Sequence, residues 1–170
     1  MVDFALTDEQ KMLVEMTRSF VEKEMMPHEE TLERTDTLPP ELAASLKKRS
    51  MELGLHACNL PEDMGGGGLD AVSVMLIEKE LGRTSLAMAE CAHRPLNILA
   101  ACEGKQVTQF LEPTIKGEKR DCIAMTEPGA GSDLRGMKCK AVRDGDEWVI
   151  SGEKHCISQA SISDYCVLFA

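Results

Sequence analysis

The stretch Met125–Asp133, which reads MTEPGAGSD, follows a short apolar segment and contains a proline and two glycines. Upstream of Lys119, apolar residues recur at helical spacing, whereas downstream the pattern alternates with a period of two. The stretch therefore predicts a turn at the end of a β-strand, where a helical region gives way to a β region. Glycines let a ligand approach the backbone, and the hydroxyls of Thr126 and Ser132 can face the same point. This pattern is typical of a polar or anionic ligand site, but an ordinary loop explains a Gly-Ala-Gly turn at least as well.

The region before this stretch carries helix start and stop signals. Thr7 begins a capping-box pattern, and Pro27 is expected to end the helix that follows. A second helix is expected to start at Pro40 and to be capped by Gly54. The run Gly65–Gly68 lacks the Lys-Ser/Thr of a phosphate loop and predicts a mobile turn. Further helices are predicted over residues 70–81, 85–91, 95–102 and 107–115.

The region around and after the stretch predicts strands and one hairpin. Strands are expected over residues 122–126, 138–143, 147–150 and 154–158. The sequence Asp144-Gly145-Asp146 predicts the hairpin turn. Tyr165–Ala170 reads as an apolar strand buried on both faces, and such a strand needs neighbours. We therefore expect the sequence to be cut inside a β-domain.

The predicted fold class is α+β. Residues 1–118 are expected to form an all-α N-terminal helical domain, and residues 119–170 the first strands of an incomplete β-barrel-like domain. The formal net charge of −10 disfavours a nucleic-acid-binding protein. The sequence shows neither a leader pattern nor an apolar run of membrane-spanning length, which predicts a cytoplasmic protein that does not enter a membrane. Seven cysteines without CxxC spacing are expected to be reduced and mostly buried, rather than to form a zinc site or a disulfide framework.

Several motifs, in order along the chain, resemble the acyl-CoA dehydrogenase family. They are FALTDEQ at residues 4–10, LPEDMGG at 60–66, ELGR at 80–83, TEPGAGSD at 126–133 and DGDEWVISGEK at 144–154. The last two are similar to the family patterns TEPxAGSD and DGDxYVINGxK. The resemblance covers essentially the whole chain, and it implies the helical and β domains described above.

The resemblance also implies residues that bind the cofactor FAD. The backbone of Met125, and the backbone and hydroxyl of Thr126, would contact the flavin ring, while the hydroxyl of Ser158 would reach flavin N5. Cys156 stands where many members have Trp or Phe against the flavin, so FAD binding is expected to be weakened but not abolished. Neighbouring residues on a strand point to opposite faces, so His155 and Cys156 are not expected to form a nucleophilic pair.

On the substrate side, the resemblance implies that the backbone at Gly131 and the side chain of Ser132 contact acyl-CoA. His93 and Arg94 interrupt an apolar stretch that resembles the helices over the family's acyl pocket. One interpretation is a helix end with a solvated arginine and a satisfied histidine. The other is that Arg94 meets a polar or anionic acyl tail.

The function implied by the resemblance is the α,β-dehydrogenation of acyl-CoA to trans-2-enoyl-CoA. Electron-transfer flavoprotein would be the redox partner, and the full-length protein would be a homo-oligomer, either a dimer or a tetramer. The family's catalytic base is a Glu in a C-terminal helical domain, and no residue here matches it, so the chain is expected to be an inactive fragment with no catalytic residue assigned. Two alternatives stay open: a non-catalytic acyl-CoA-dehydrogenase-like subunit and a flavin-dependent acyl-CoA oxidase.

Overall fold

The computed structural model describes residues 5–92 and 94–170, and the chain divides into two units after Gly117. We call the part up to Gly117 the helical unit and Glu118–Ala170 the β unit. This arrangement confirms the predicted α+β class, and the described strands form no closed barrel. None of the described helices is long and apolar enough to cross a membrane.

The helical unit combines α-helices with tighter and wider helical turns. The α-helices are α1 (Asp8–Phe20), α2 (Glu29–Thr35), α3 (Pro40–Glu52), α4 (Ala71–Leu81), α5 (Leu86–Ala89) and α6 (Glu112–Ile115). Turns of 3₁₀ type cover Met26–His28, Glu62–Met64, Glu90–Ala92 and Asn97–Ala101, and π turns cover Val21–Met25 and Val107–Leu111. The segments predicted over residues 85–91, 95–102 and 107–115 are therefore helical, but only parts of them are α-helix.

Helix α1 begins at the predicted capping box. The Thr7 hydroxyl accepts a hydrogen bond from the Gln10 amide at 3.1 Å, and the Gln10 side chain accepts one from the Thr7 amide at 3.1 Å. The prediction that Pro27 ends this helical segment is wrong. The π turn Val21–Met25 and the 3₁₀ turn Met26–His28 rearrange the backbone hydrogen bonds where proline has no donor, so the chain stays helical into α2.

Helix α3 ends as predicted. Gly54 has a φ of 71°, a left-handed conformation that favours glycine. Its amide donates to the Met51 carbonyl at 3.0 Å, and the Leu55 amide donates to the Ser50 carbonyl at 3.0 Å. This pair of bonds is a Schellman cap, which satisfies carbonyls at the helix end.

The run Gly65–Gly68 forms a turn, but a closely packed one rather than the mobile one predicted. The Gly68 amide donates to the Leu60 carbonyl at 2.8 Å. A Cβ atom added to Gly66 would lie 2.2 Å from the carbonyl oxygen of Leu60. Glycine is therefore required here by close approach of two backbone segments.

The core of the helical unit lies between α1, α3, α4 and the segment after α5. Its buried members are Phe20, Val21, Met25, Leu46, Leu55, Cys58, Ile77, Leu81, Met88, Cys91 and Ala92. Helices α1 and α4 are also joined by an ion pair in which the Arg18 guanidinium donates to both carboxylate oxygens of Glu80, at 3.0 and 2.9 Å. The Glu80 carboxylate is buried, and its hydrogen bond from Arg18 holds its pKa below the usual value.

The β unit contains two separate strand pairs. Strand β1 (Asp121–Ala124) pairs in parallel with β4 (Tyr165–Leu168), and β2 (Lys140–Asp144) pairs antiparallel with β3 (Glu147–Ser151). The predicted hairpin is therefore present, with Gly145 at a φ of 62° in its turn.

Three expectations for the β unit need correction. No strand covers residues 154–158, because Cys156 has a φ of 54° and this left-handed conformation breaks an extended segment. Strand β4 is not buried on both faces in this chain, since its residues alternate between half-buried and exposed. The expectation of buried cysteines fails at two positions of the β unit, Cys156 and Cys166, which are exposed, although four of the seven cysteines in the whole chain are buried as predicted.

Candidate functional site

The predicted ligand-binding stretch lies directly after β1 and folds into a tight turn. The Glu127 amide donates to the Ala130 carbonyl at 2.9 Å, and the Ala130 amide donates to the Glu127 carbonyl at 3.1 Å. Pro128 and Gly129 therefore form the exposed tip of this turn, while Glu127 and Ala130 are buried beneath it. The turn that the sequence predicted is thus present, and its two flanking residues anchor it.

Glu127 is the buried charged centre of this segment. Its carboxylate accepts hydrogen bonds from the Lys138 amide at 2.6 Å and from the Cys139 amide at 2.9 Å. The Lys154 ammonium donates to it at 2.9 Å, and the exposed fractions of the Lys154 and Glu127 side chains are only 9% and 6%. These backbone bonds and the lysine lower the pKa of Glu127 to about 2, so it is ionised at neutral pH.

The segment that carries Lys154 also holds the backbone of the predicted flavin-contact residues. Lys154 Nζ donates to the Met125 carbonyl at 3.0 Å, and the His155 amide donates to the Thr126 carbonyl at 2.8 Å. The structure thus brings Met125 and Thr126 next to the segment that leads into Cys156. We call the contacts of Glu127 and Lys154 with each other and with the backbone the Glu127–Lys154 clamp.

The remaining polar groups of this surface are available to a ligand. Among residues 5–92 and 94–170, the hydroxyls of Thr126, Ser132 and Ser158 have no hydrogen-bond partner. A Cβ atom added to Gly131 would meet nothing within 4 Å, so the backbone there faces open space. The hydroxyls of Thr126 and Ser158 fit a cofactor that carries many hydrogen-bond acceptors, as FAD does, while Gly131 and Ser132 leave room for a second ligand to approach the main chain.

The irregular segment after Lys154 places Cys156 and Ser158 on an exposed loop rather than on a strand. Cys156 is exposed and left-handed, and Ser158 begins a turn that runs to Ile162. The sequence had suggested that His155 and Cys156 point to opposite faces of a strand. That argument does not apply, because no strand is present here. Among the residues that the structure describes, however, no hydrogen bond joins the His155 ring to the Cys156 thiol.

Arg94 lies in the helical unit, on the wall of a cleft with a volume of about 530 Å³. Its guanidinium forms an ion pair with Glu78, and 29% of its side chain is exposed. Arg94 is therefore a paired and partly exposed residue of the cleft wall. His93, which precedes Arg94 in the sequence and was considered together with it, lies outside the described residues.

The same cleft contains a buried polar atom without a partner. The Asn59 amide nitrogen donates to the Pro95 carbonyl at 2.8 Å and to the Asn97 side chain at 2.5 Å. Asn59 Oδ1 is buried, and no described residue donates a hydrogen bond to it. The cleft wall is otherwise mostly apolar, with Leu60, Pro61, Leu69, Ala71, Val74, Met75 and Ala100 among its lining residues.

Glu127 and Lys154 were part of the motifs read from the sequence, but neither was assigned a role. Residue type gave no signal for the burial of Glu127, because carboxylates are mostly exposed. A buried carboxylate needs a cationic partner, and the distant Lys154 could not be selected from spacing alone. Glu78 and Asn59 were missed for the same reason, because only the folded chain brings them to the cleft.

Comparisons with known proteins give a consistent result. Residues 7–118 match the family model of the acyl-CoA dehydrogenase N-terminal domain, and residues 122–170 match that of the middle domain. A probable acyl-CoA dehydrogenase, YngJ, from Bacillus subtilis is 36% identical over 99% of this chain and 45% of its own length. The caffeyl-CoA reductase-Etf complex subunit CarC from Acetobacterium woodii is 30% identical over 96% of this chain and 44% of its own length.

A solved structure shows the same likeness in three dimensions. It is an acyl-CoA dehydrogenase complexed with FAD from Bacillus anthracis, with a TM-score of 0.77 and 30% identity. The match covers 98% of this chain and 29% of that one. The chain thus spans less than half the length of each of these relatives.

Proposed function

Since this chain belongs to the acyl-CoA dehydrogenase family, we propose that its β unit supplies part of an FAD site in an enzyme that converts acyl-CoA to trans-2-enoyl-CoA. The observation that carries the proposal is the Glu127–Lys154 clamp, which holds the Met125 carbonyl, together with the His155 amide, which holds the Thr126 carbonyl, beside an open, glycine-containing turn. A binding site held by buried contacts needs little rearrangement when the ligand arrives, and this lowers the cost of binding.

Four residues of the β unit have proposed roles toward the cofactor. The backbone of Met125, and the backbone and hydroxyl of Thr126, contact the flavin ring. The Ser158 hydroxyl donates to flavin N5, and Cys156 lies against the ring. FAD, when bound, supplies the acceptor for the hydride that leaves the β-carbon of the acyl group. The Lys154 ammonium and the His155 amide would keep the Met125 and Thr126 carbonyls in place when the cofactor binds, because they donate hydrogen bonds to these two carbonyls.

Candidate substrate-binding residues are proposed for each unit separately. In the β unit, the Gly131 backbone and the Ser132 hydroxyl bind acyl-CoA, and both are exposed. In the helical unit, the cleft with Arg94 receives the acyl tail. The ion pair with Glu78 compensates the charge of Arg94, so the cleft favours an apolar or neutral polar tail over a carboxylated one.

The proposed partners follow from the family. Electron-transfer flavoprotein would re-oxidise the flavin, in line with the name of the Acetobacterium woodii relative, which is a subunit of an Etf complex. The whole protein is proposed to be a dimer or a tetramer. No catalytic base is assigned to a residue of this chain, so its proposed share of the reaction is the binding of FAD and acyl-CoA.

One alternative is favoured by a specific observation. The exposed thiol of Cys156 stands where many family members have an aromatic residue, and this fits a non-catalytic subunit that binds ligands weakly. A non-catalytic subunit would bind acyl-CoA without forming enoyl-CoA. A flavin oxidase would form enoyl-CoA together with hydrogen peroxide, with oxygen as the acceptor.

The test is a calorimetric titration of FAD into the chain and into Thr126→Ala. Loss of one hydrogen bond is worth about 0.5–1.5 kcal/mol, so the affinity should fall several-fold. Thr108→Ala, which changes an exposed threonine in the helical unit, should leave it unchanged. Equal affinities for Thr126→Ala and the unmodified chain would remove Thr126 from the site, and no binding by the unmodified chain would overturn the proposal.

A further inference from the structure

Cys122 and Cys166 face each other across the parallel pair of β1 and β4. They are register partners, and the register is fixed on both sides of them. The Asp164 amide donates to the Arg120 carbonyl at 2.8 Å, and the Phe169 amide donates to the Ala124 carbonyl at 3.1 Å. Partners in neighbouring strands are about 4.8 Å apart and their side chains point to the same face.

This separation falls within the range that a disulfide accepts between α-carbons, about 4.4–6.8 Å. Cβ atoms in a disulfide are about 3.8 Å apart, so closure requires a small movement of one strand toward the other. Cys166 lies at an exposed position of β4, so its side chain is not packed against other groups on that side.

The two thiols differ in their access to solvent. Cys166 is exposed, while Cys122 is buried with 8% of its surface exposed. Although the residue as a whole is exposed, partial burial of its sulfur and the neighbouring Cys122 thiol raise the pKa of Cys166 to about 11. At neutral pH the Cys166 thiol is therefore protonated, and it reacts slowly with oxidants. This asymmetry assigns Cys166 as the thiol that an oxidant reaches first and Cys122 as the thiol that completes the bond.

We propose that Cys122 and Cys166 form a reversible disulfide that links β1 to β4 when the chain meets a small-molecule disulfide. The Cys166 sulfur, once deprotonated, attacks the disulfide RS–SR, forms a mixed disulfide with one RS group and releases the other as RSH. The Cys122 sulfur then attacks the Cys166 sulfur, forms the protein disulfide and releases the second RSH. The two protein thiols lose two electrons and two protons, and the small-molecule disulfide is reduced to two thiols.

The exposed Cys156 provides an internal control for this pairing. It lies much closer to Cys166 along the chain than Cys122 does, so loop closure in an unfolded chain favours the pair Cys156–Cys166. The folded chain has the opposite preference, because the strand register presents Cys122 to Cys166. The identity of the linked pair therefore distinguishes a bond set by the fold from one set by chance.

The experiment treats the folded 170-residue chain with oxidised glutathione, blocks the remaining thiols with N-ethylmaleimide and identifies linked peptides by mass spectrometry. We expect Cys122–Cys166 as the main link, its loss on treatment with dithiothreitol, and its replacement by Cys156-containing links when oxidation is done in urea. Cys156→Ser should leave the link unchanged. Cys122→Ser should trap Cys166 as its glutathione mixed disulfide.

Other results would overturn the proposal. One is a folded chain in which Cys166 keeps glutathione although Cys122 is present; another is a folded chain that links Cys166 mainly to Cys156. If Cys122→Ser does not fold, Cys166→Ser replaces it, since position 166 is exposed. In that variant Cys122 should stay reduced, and its modification by glutathione at the rate of Cys156 would contradict the assignment of Cys166 as the first site. None of these readouts depends on FAD or acyl-CoA.

Discussion

The helical unit and the β unit are stabilised by different kinds of contact. The helical unit has an apolar core of eleven buried residues contributed by several helices. In the β unit every residue of β2 and β3 is exposed. Each unit buries a carboxylate, Glu80 in the helical unit and Glu127 in the β unit, where an ammonium and two backbone amides surround it. The helical unit therefore adds its ion pair to many apolar contacts, whereas the backbone next to the proposed FAD site is held mainly by the contacts of Glu127 and Lys154.

The largest expected effect compares apolar truncations in the two units. Phe20 is 2% exposed in the core of the helical unit, so Phe20→Ala should cost about 3–5 kcal/mol of unfolding free energy. Val149 in β3 is 50% exposed, and Val149→Ala should change stability by less than about 0.5 kcal/mol. Urea unfolding followed by circular dichroism reports on the helices, and the fluorescence of Trp148 reports on the β unit. Similar losses in the two variants would contradict the comparison.

The second effect concerns the Glu127–Lys154 clamp. Lys154→Met removes the donor to both Glu127 and the Met125 carbonyl, so the affinity for FAD should fall by roughly tenfold, the effect of losing a charge-assisted hydrogen bond. Lys116→Met is the matched control, because Lys116 is 61% exposed and lies 3.9 Å from Glu112. Calorimetry measures both affinities. An equal decrease in the two variants would mean that the clamp does not position the site.

The clamp should also make the stability of the β unit depend on pH in the acid range. The pKa of Glu127 in the folded chain is lowered to about 2, so its contribution to stability is fully present above its unfolded pKa of about 4.5. That contribution is lost as the pH falls from about 4.5 toward 2. A pH titration followed by Trp148 fluorescence should therefore show a loss of stability in this window that is smaller in Glu127→Gln. An identical profile in the variant would assign the acid sensitivity to other carboxylates.

A smaller effect is expected at the cleft of the helical unit, where two substitutions should act in opposite directions. Glu78→Gln releases the charge of Arg94 and should increase binding of a carboxylated acyl-CoA relative to a plain one. Arg94→Ala should decrease that ratio. Each change is expected to be several-fold and can be measured by calorimetry with two acyl-CoAs of equal chain length. Unchanged ratios in both variants would remove Arg94 from the proposed substrate site.

The smallest expected effect is an increase in the affinity for FAD. Cys156→Phe restores an aromatic side chain of the kind that many family members place against the flavin, and an aromatic contact is worth about 0.5–1.5 kcal/mol. FAD affinity should rise by a few-fold. Cys102→Phe, at a half-buried cysteine of the helical unit, serves as the control and should leave the affinity unchanged. Weaker binding by Cys156→Phe would show that the position does not face the flavin.

Local signals in the sequence predicted the fold well where they act over a few residues. The capping box at Thr7, the Gly54 cap and the hairpin at Gly145 all depend on neighbours within a few positions, and all three are present. The strand predicted over residues 154–158 failed because Cys156 is left-handed, and residue type gives little warning of that outside glycine and asparagine. Pro27 failed as a stop signal because flanking π and 3₁₀ turns accommodate it.

The candidate site was only partly predictable for a related reason. The open turn at Gly131 and the hydroxyls of Thr126 and Ser132 can be read from one stretch of sequence. The groups that hold this stretch in place come from elsewhere, since Lys154 reaches Glu127 across the intervening hairpin. Ion pairs between distant positions are set by the folded backbone and cannot be derived from spacing.

The position of the hairpin relative to the clamp has a practical consequence. The backbone contacts of Glu127 are made at Lys138 and Cys139, before β2 begins, and Lys154 follows after β3 ends. The tip at Gly145 lies between these anchor points, and a side chain there would meet nothing within 4 Å. An epitope or a fluorescent reporter can therefore be inserted at Gly145–Asp146, with the anchors left intact on either side of it.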